Sequence, residues 1–231
     1  MKRNCKILSF IAIFFAIILS FQCNAQLIYQ NRLALWPSLS VQKKIGDNWK
    51  VKLEHSTRMK FMPFMIDETY FQIGAEYQIR HNISAEINYR FSEAWSPEEH
   101  FMPAHRISLE ADFSFDIKRW SFALHPAVQT VFSRANIMEN LNPQWCFRPK
   151  VQVSYNIRKS KFEPLGSIEL FIGRKPQYSF SAYKYRISLG AVYKITKCTH
   201  VELYLRQQGG FITNDNPSSY SILGMDWSWR F

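Results

Sequence analysis

Strict alternation of apolar and charged residues is the feature that most constrains the fold of this chain. In the stretch WKVKLEHSTRMK, residues 49–60, Trp49 and Leu53 fall on one side of an extended chain, while the charged residues fall on the other. Successive side chains of a strand point to opposite faces. A soluble sheet turns its apolar face into a core, whereas a transmembrane barrel turns the same face to lipid and its charges into a lumen. The alternation alone leaves both alternatives open.

The N-terminal residues have the composition of a secretory signal peptide. Three basic residues precede an apolar run from Ile7 to Phe21, and Ala25 supplies the small residue before a cleavage site. The run is shorter than the roughly 20 residues that a membrane-spanning helix needs. We therefore expect a signal peptide at 1–25 and an exported mature chain at 26–231. Loss of the three basic residues lowers the formal net charge from +11 to +8.

The mature chain contains no apolar stretch long enough to span a bilayer as a helix, so it is either soluble after export or crosses a membrane as strands. An exported chain with a modest positive excess is a poor candidate for binding nucleic acid. Contact with outer-membrane lipid and acidic surface glycolipid is the more natural use for that charge. Glycine-rich phosphate loops, CxxC pairs and HExxH are absent from the sequence, so we expect no cofactor and no metal.

Ten alternating segments follow one another from Trp49 onward, each about as long as a tilted barrel strand requires. Short polar turns alternate with longer connections along the chain. Every longer connection carries a proline, which cannot donate a hydrogen bond to a strand ladder. This layout is typical of outer-membrane barrels, which have short periplasmic turns and longer extracellular loops. The longer connections are predicted at 61–67, 92–103, 134–143, 174–182 and 209–218.

The number of strands depends on the segments that precede Trp49. Leu33 to Ile45 reads as an eleventh strand, yet the N-terminus of such a barrel should begin in the periplasm. Either Leu27 to Asn31 starts a short twelfth strand, or the segment before Trp36 threads upward through the lumen. We predict an all-β fold, a closed antiparallel up-and-down transmembrane barrel of about 12 strands, with 10 as the alternative.

Aromatic residues collect near both ends of the predicted strands, as expected where amphipathic rings settle at the two membrane interfaces. Trp49 and Trp120 belong to the group near the turns, and Phe71 and Tyr183 to the group near the loops. The chain ends on WSWRF, and its terminal Phe231 resembles the sorting signal by which the barrel-assembly machinery receives outer-membrane barrels. The sequence therefore predicts a monomeric barrel in the outer membrane.

Four prolines sit within the predicted strands, where each removes a ladder bond from a closed sheet that has no free edge. They are Pro37, Pro126, Pro149 and Pro164. We expect bulges or local strand breaks at these positions.

The polar faces of the predicted strands are rich in arginine and carboxylate. Isolated charges in a narrow interior cost several kcal/mol per ion, so cross-strand pairs between arginine and glutamate would satisfy one another. Two interpretations follow: a structural plug of ion pairs, or a selective pore or small anionic-ligand site. The candidate lumen residues are Arg58, Glu76, Arg90, Arg106, Glu110, Arg148, Glu169, Arg186 and Arg206.

Enzyme motifs are scarce. His125 is predicted to point inward, but its own strand carries no neighbouring carboxylate. We therefore assign no catalytic residue and expect a structural or small-solute transport component rather than an enzyme. Two alternatives remain: an outer-membrane lipid-modifying enzyme with a histidine or serine near a carboxylate, and a soluble, exported ligand-binding barrel.

Several stretches resemble the uncharacterised outer-membrane barrels of Bacteroidota grouped as domain of unknown function 2490. They are LALWP with the following KLEHSTR, the pair His105-Arg106, FRPK around Arg148, SIELF around Glu169 and YRISLGAVY around Arg186. The similarity spans nearly all of the mature chain. One departure is the stretch SFALHPAVQ, where His125 stands alone in a strand that is rich in arginine in the family. The resemblance implies a barrel and supplies no activity.

Overall fold

Eleven β-strands form the part of the chain that the computed structural model describes, residues 31–61, 64–96, 100–133, 144–175, 178–211 and 219–231. The strands are β1 (Asn31–Ile45), β2 (Trp49–Phe61), β3 (Phe64–Arg80), β4 (Ile83–Ser96), β5 (His100–Ile117), β6 (Trp120–Ser133), β7 (Gln144–Tyr155), β8 (Phe162–Lys175), β9 (Tyr178–Lys194), β10 (Thr199–Gly210) and β11 (Ser219–Arg230). The predicted signal peptide, residues 1–25, lies outside the described residues. Within them, no helix has the length and apolar character to cross a bilayer.

The strands close into a barrel with an odd number of members. Each strand pairs with the next in antiparallel orientation, and β1 lies beside β11. After eleven such strands, β1 and β11 run in the same direction. Two hydrogen bonds have the parallel pattern: the N–H of Phe231 donates to the carbonyl of Gln42 at 2.9 Å, and the N–H of Lys44 donates to the carbonyl of Phe231 at 3.3 Å.

The predictions of 12 strands and of 10 strands are therefore wrong. The even strand number was expected because both chain termini of an outer-membrane barrel with an even number of strands lie on the periplasmic side of the membrane. In this barrel β1 itself pairs with β11, and a parallel seam makes a further strand unnecessary. Of the predicted short strand at Leu27 to Asn31, all but Asn31 lies outside the described residues.

The apolar residues of the strands lie on the outside of the barrel. Leu53 and Leu109 are 56% and 60% exposed, whereas Ser56 and Glu169 are 3% and 8% exposed. Large exposed apolar side chains occur on all of the strands. This distribution is the reverse of a soluble barrel, which would expose its polar face. The Trp49 side of residues 49–60 therefore faces outward, and the side with lysine and glutamate faces the lumen.

Several strands reach further than their sequence pattern predicted. The predicted longer connections 61–67, 92–103 and 174–182 are therefore wrong, because only 62–63, 97–99 and 176–177 separate the strands there. The remaining two, 134–143 and the one between β10 and β11, stay longer. Ion pairs on the inner face hold the extension of β2 and β3 together, since Lys60 pairs with Asp67 and Arg58 pairs with Glu68.

The prolines within strands interrupt the ladders locally without shifting their register. Pro126 lies directly opposite Pro149, and the ladders beside both of them lack several pairs. The ladder between β1 and β2 is likewise interrupted at Pro37. Local breaks are therefore confirmed at these three prolines. Pro164 pairs with Ala191 in an unbroken ladder on the β9 side, but the ladder with β7 ends beside it at the pair of Ser154 with Leu165, so the break is confirmed on that side.

Aromatic residues surround the outer face near the turns. Trp49 packs on Tyr77 with ring centroids 4.9 Å apart, and Trp120 packs on Tyr155 at 4.8 Å. Both tryptophans are about half exposed, Trp49 at 50% and Trp120 at 49%. Phe71, predicted near the loops, lies in the middle of β3, but at the loop ends of their strands Phe64 is 70% exposed and Trp145 is 58% exposed. The outer face therefore carries aromatic side chains at both ends.

Tyr183 does not belong to that outer group. The pairing of β8 with β9 shifts by one residue here, and Phe171 pairs with Lys184 while Ile172 pairs with Ala182. The Tyr183 hydroxyl donates to the sulfur of Cys146 at 3.2 Å, and the ring lies 6.3 Å from the buried ring of Phe171. A bulge therefore turns this tyrosine to the face opposite to the one that strict alternation predicts.

Candidate functional site

A cavity of about 270 Å³ lies inside the barrel and brings together most of the predicted lumen residues. Those that line it are Arg58, Arg90, Arg106, Glu110, Arg148, Glu169, Arg186 and Arg206. Glu76 does not line the cavity. It forms an ion pair with Lys50 at 2.7 Å instead. Each of these side chains comes from the polar face of its strand, so their shared face follows from the alternation.

Glu169 is shared by two arginines on the strands that flank it. The Nε of Arg148 on β7 donates to Glu169 Oε1 at 2.9 Å, and Nη1 of Arg186 on β9 donates to Oε2 at 3.2 Å. Arg148 also donates to Oε1 of Gln129 at 2.7 Å. The ring of Phe171 lies beneath both guanidinium groups, 5.1 Å and 4.6 Å from their centres. Three strands are therefore joined by one buried carboxylate.

Arg58 is held between a carboxylate and two aromatic rings. Its Nη1 donates to Glu68, which lies directly opposite on β3. Its guanidinium centre lies 4.3 Å from the ring centroid of Trp36 and 5.3 Å from that of Tyr70. These contacts fix both the position and the plane of the group.

Arg90 is positioned without a carboxylate. Its Nε and Nη2 donate to Oε1 of Gln72 at 2.8 Å and 2.6 Å, and its guanidinium lies 3.6 Å from the ring centroid of Tyr70. Arg206 is similar, since its Nε donates to the Ser188 hydroxyl at 2.9 Å. Neutral acceptors orient these two cations, and neither of them forms an ion pair within the described residues.

Arg106 lies among other arginines. It stands directly opposite Arg90 on the neighbouring strand. The charged groups around it include Arg90, Arg58 and Arg148 as well as Glu68. Its Nε is buried without a hydrogen-bond partner, and among the described residues it forms no ion pair. The expected pairing of arginine with glutamate therefore occurs around Glu68 and Glu169 and does not extend to this residue.

Carboxylates also oppose one another across the strands. Glu86 on β4 stands directly opposite Glu76 on β3 and Glu110 on β5, and Glu202 stands opposite Asp226. Like charges placed directly opposite destabilise a sheet, so these rows need cations or solvent. Some compensation is present, since Lys50 pairs with Glu76 at 2.7 Å. The interior is therefore divided into like-charged groups rather than evenly paired.

Glu110, Asp112 and His125 form the one group in the described part of the chain that could hold a metal ion. One potential ligand atom from each lies within 4.8 Å of the others. The Nδ1 of His125 contacts Asp112 and lies 3.7 Å from Glu110, while its Nε2 is buried without a partner. Sequence reasoning sought a carboxylate on the strand of His125 itself. The carboxylates come from the neighbouring strand β5, next to the interruption at Pro126.

Sequence reasoning also missed the aromatic and amide side chains that hold the arginines. Trp36, Tyr70 and Tyr204 are at most 8% exposed and line the cavity. Gln72 and Gln129 accept hydrogen bonds from arginines. Their signal was present, since Tyr70 and Tyr204 alternate with charged residues on the polar faces of β3 and β10. In a barrel whose polar strand faces point to the lumen, an aromatic residue on a polar face indicates a ring inside the barrel.

A closed barrel with an apolar outer face and a charged interior belongs to the class of β-barrels that cross membranes. Residues 33–218 match the family described as protein of unknown function DUF2490, and the chain belongs to that family. The resemblance noted in the sequence is thereby confirmed. No curated protein matches the chain.

Solved structures with a similar fold include outer-membrane proteins. A bacterial polysaccharide outer membrane secretin has a TM-score of 0.52 and 10% identity, over 77% of this chain and 63% of that one. An anion-selective porin from Comamonas acidovorans has a TM-score of 0.41 and 10% identity, over 81% and 54%. LpxR from Salmonella typhimurium has a TM-score of 0.46 and 8% identity, over 78% and 83%. The chain thus spans less than two thirds of the first two structures.

Proposed function

We propose that this protein is an outer-membrane barrel of the small-solute transport type whose lumen favours anions. The observation that carries the proposal is a set of arginines in the cavity that form no ion pair within the described residues, Arg90, Arg106 and Arg206. A plug of ion pairs would match each buried cation with a carboxylate, because an unmatched ion in a low-dielectric interior costs several kcal/mol. Anions that enter the lumen would supply the missing charge.

The location and orientation form part of the same proposal. Export by the signal peptide at 1–25 leads the chain to the outer membrane, where the apolar outer face contacts lipid and the modest positive excess of the chain favours contact with surface glycolipid. The turn end faces the periplasm and carries Phe231, through which the barrel-assembly machinery receives the chain. The loop end, with the connection at 134–143, faces outward. The barrel acts as a monomer.

Conductance across planar lipid bilayers tests the proposal. The reconstituted wild-type protein is expected to conduct with a preference for anions over cations. Arg106→Ala or Arg148→Ala is expected to lower that preference, because each removes a positive charge from the cavity lining. Arg158→Ala is the matched control, since Arg158 is exposed in the connection between β7 and β8. A silent bilayer would contradict transport and favour the structural plug.

A lipid-modifying enzyme is the second candidate function, and the contact of His125 with Asp112 is the observation that favours it. That candidate requires activity on surface glycolipid that is lost when His125 is replaced. The placement of His125 in the interior, away from the lipid-facing surface, favours transport instead.

A further inference from the structure

We propose that the part of the cavity around Arg106 is a binding site for a small multivalent oxyanion of the phosphate type. The inference deepens the proposed function and rests on it in one respect, namely that solutes reach the lumen. It assigns a ligand class to a defined group of side chains, the arginine cluster of Arg58, Arg90, Arg106 and Arg148.

The arginine cluster carries more positive charge than its surroundings compensate. Arg106 stands directly opposite Arg90, and like charges in that position repel. Glu68, the first carboxylate among the charges acting on Arg106, already accepts a hydrogen bond from Arg58. The buried Nε of Arg106 has no partner. A ligand with several negative oxygens would complete this arrangement.

The neighbours of Arg106 are fixed in place before any ligand arrives. Two N–H groups of Arg90 donate to one amide oxygen of Gln72, and Tyr70 supports its guanidinium from beneath at 3.6 Å. Arg148 is anchored by Gln129 and by the carboxylate that it shares with Arg186. A preorganised donor set loses little side-chain entropy on binding. The cluster is therefore built as a receptor rather than as a set of mobile surface charges.

The chemistry of the cluster selects the ligand class. A guanidinium group donates two parallel hydrogen bonds to phosphate or carboxylate, and repulsion among four of them is relieved best by more than one negative charge. Lys184, whose Nζ lies 4.0 Å from the ring of Phe171, adds a further cation that the charges of Arg106 and Arg148 influence. A cavity of about 270 Å³ has room for a phosphate or pyrophosphate group. Chloride lacks both the charge and the paired oxygens.

Titration calorimetry on the purified barrel in detergent tests the site. Inorganic phosphate and pyrophosphate are each added at constant ionic strength, with chloride as the comparison anion. The wild-type protein is expected to bind with saturation, and pyrophosphate more tightly than phosphate. Arg106→Met is expected to weaken binding roughly ten- to a hundredfold, as loss of a charge-assisted hydrogen bond implies. Arg158→Met, in an exposed connection, should bind as the wild type does.

Unfolding in urea separates a binding role of Arg106 from a structural one. Without added anion, Arg106→Met should unfold at the same or a higher urea concentration than the wild type, because it removes an unpaired buried charge. Phosphate should raise the midpoint of the wild type and raise that of the variant by much less at the same concentration. A lower midpoint for the variant together with equal phosphate shifts in both proteins would overturn the proposal, as would wild-type protein that binds neither anion.

The two proposals fail in different ways. Saturable binding by a barrel that is silent in bilayers would overturn transport and support the site. Anion-selective conductance without saturable phosphate binding would support transport and overturn the site.

Discussion

A single buried carboxylate, Glu169, joins strands β7, β8 and β9 through its two arginine partners. It is 8% exposed, and the side chains of Arg148 and Arg186 retain only 20% and 12% of their exposure. Such a carboxylate contributes to stability by neutralising the two guanidinium charges, which are already removed from water. Removing one member of a buried ion pair leaves the other uncompensated, which costs far more than the pair itself contributes.

Glu169→Gln is therefore expected to destabilise the barrel by about 3–5 kcal/mol, because it leaves two buried guanidinium groups without their carboxylate partner. The measurement is the urea midpoint of the refolded protein in detergent. Glu163→Gln is the matched control, since its partner Lys194 is 44% exposed and a rim pair contributes about 0–1 kcal/mol. Equal effects of the two substitutions would show that the pair around Glu169 is not buried as described.

Strands β9, β10 and β11 fit together through two glycines that face one tyrosine. Tyr204 lies directly opposite Gly190 on one side and Gly224 on the other. A Cβ atom at Gly224 would lie 2.0 Å from the Tyr204 ring, and one at Gly190 would lie 2.5 Å from the carbonyl oxygen of Leu203. The glycines thus leave room for a ring that lies against the inner wall of the barrel and lines the cavity.

Gly190→Ala is expected to destabilise the barrel by about 1–3 kcal/mol, because the new methyl group meets backbone that cannot turn away. Gly166→Ala is the control, since its Cβ would approach the flexible side-chain end of Leu189 at 3.2 Å. Thermal unfolding of the two variants is the comparison. A Gly190→Ala protein as stable as Gly166→Ala would contradict the close packing of β9 on β10.

The whole molecule is an inside-out barrel closed by a parallel seam. Its apolar residues cover the outside, its charges meet in the interior, and both described cysteines, Cys146 and Cys198, are free. In the proposed membrane setting, lipid covers this apolar outer face, and its exposure to water depends on that membrane. That dependence distinguishes this barrel from a soluble one of the same strand pattern.

Cysteine labelling in reconstituted membranes tests the inside-out arrangement. With Cys146 and Cys198 replaced by serine, Leu53→Cys and Leu109→Cys are expected to resist a water-borne maleimide, because lipid covers these outward positions. Asp47→Cys, in the exposed turn between β1 and β2, should react readily. All three should react after denaturation. Fast labelling of positions 53 and 109 in intact membranes would reverse the assignment of the two faces.

The sequence by itself determined the face to which a strand residue belongs wherever no bulge interrupts the strand, because a two-residue period is a local property of the extended chain. It therefore predicted the barrel, its charged interior and the nine candidate lumen residues. It could not determine which residues of neighbouring strands stand opposite one another, since register arises from pairing between segments distant in the chain. Only the tertiary structure placed Arg106 opposite Arg90 and brought Asp112 to His125.

The number of strands and the faces of bulged residues were decided in the same way. The side chains of a strand alternate in the same way whether the neighbouring strand runs parallel or antiparallel. The parallel seam between β1 and β11 therefore left no trace in the sequence. A bulge adds one residue to one strand, and the register shift at Tyr183 is visible only against its partner β8. The two-residue period of the sequence assigns side chains to the two faces of a strand. The pairing and closure of the sheet decide which charged side chains come into contact.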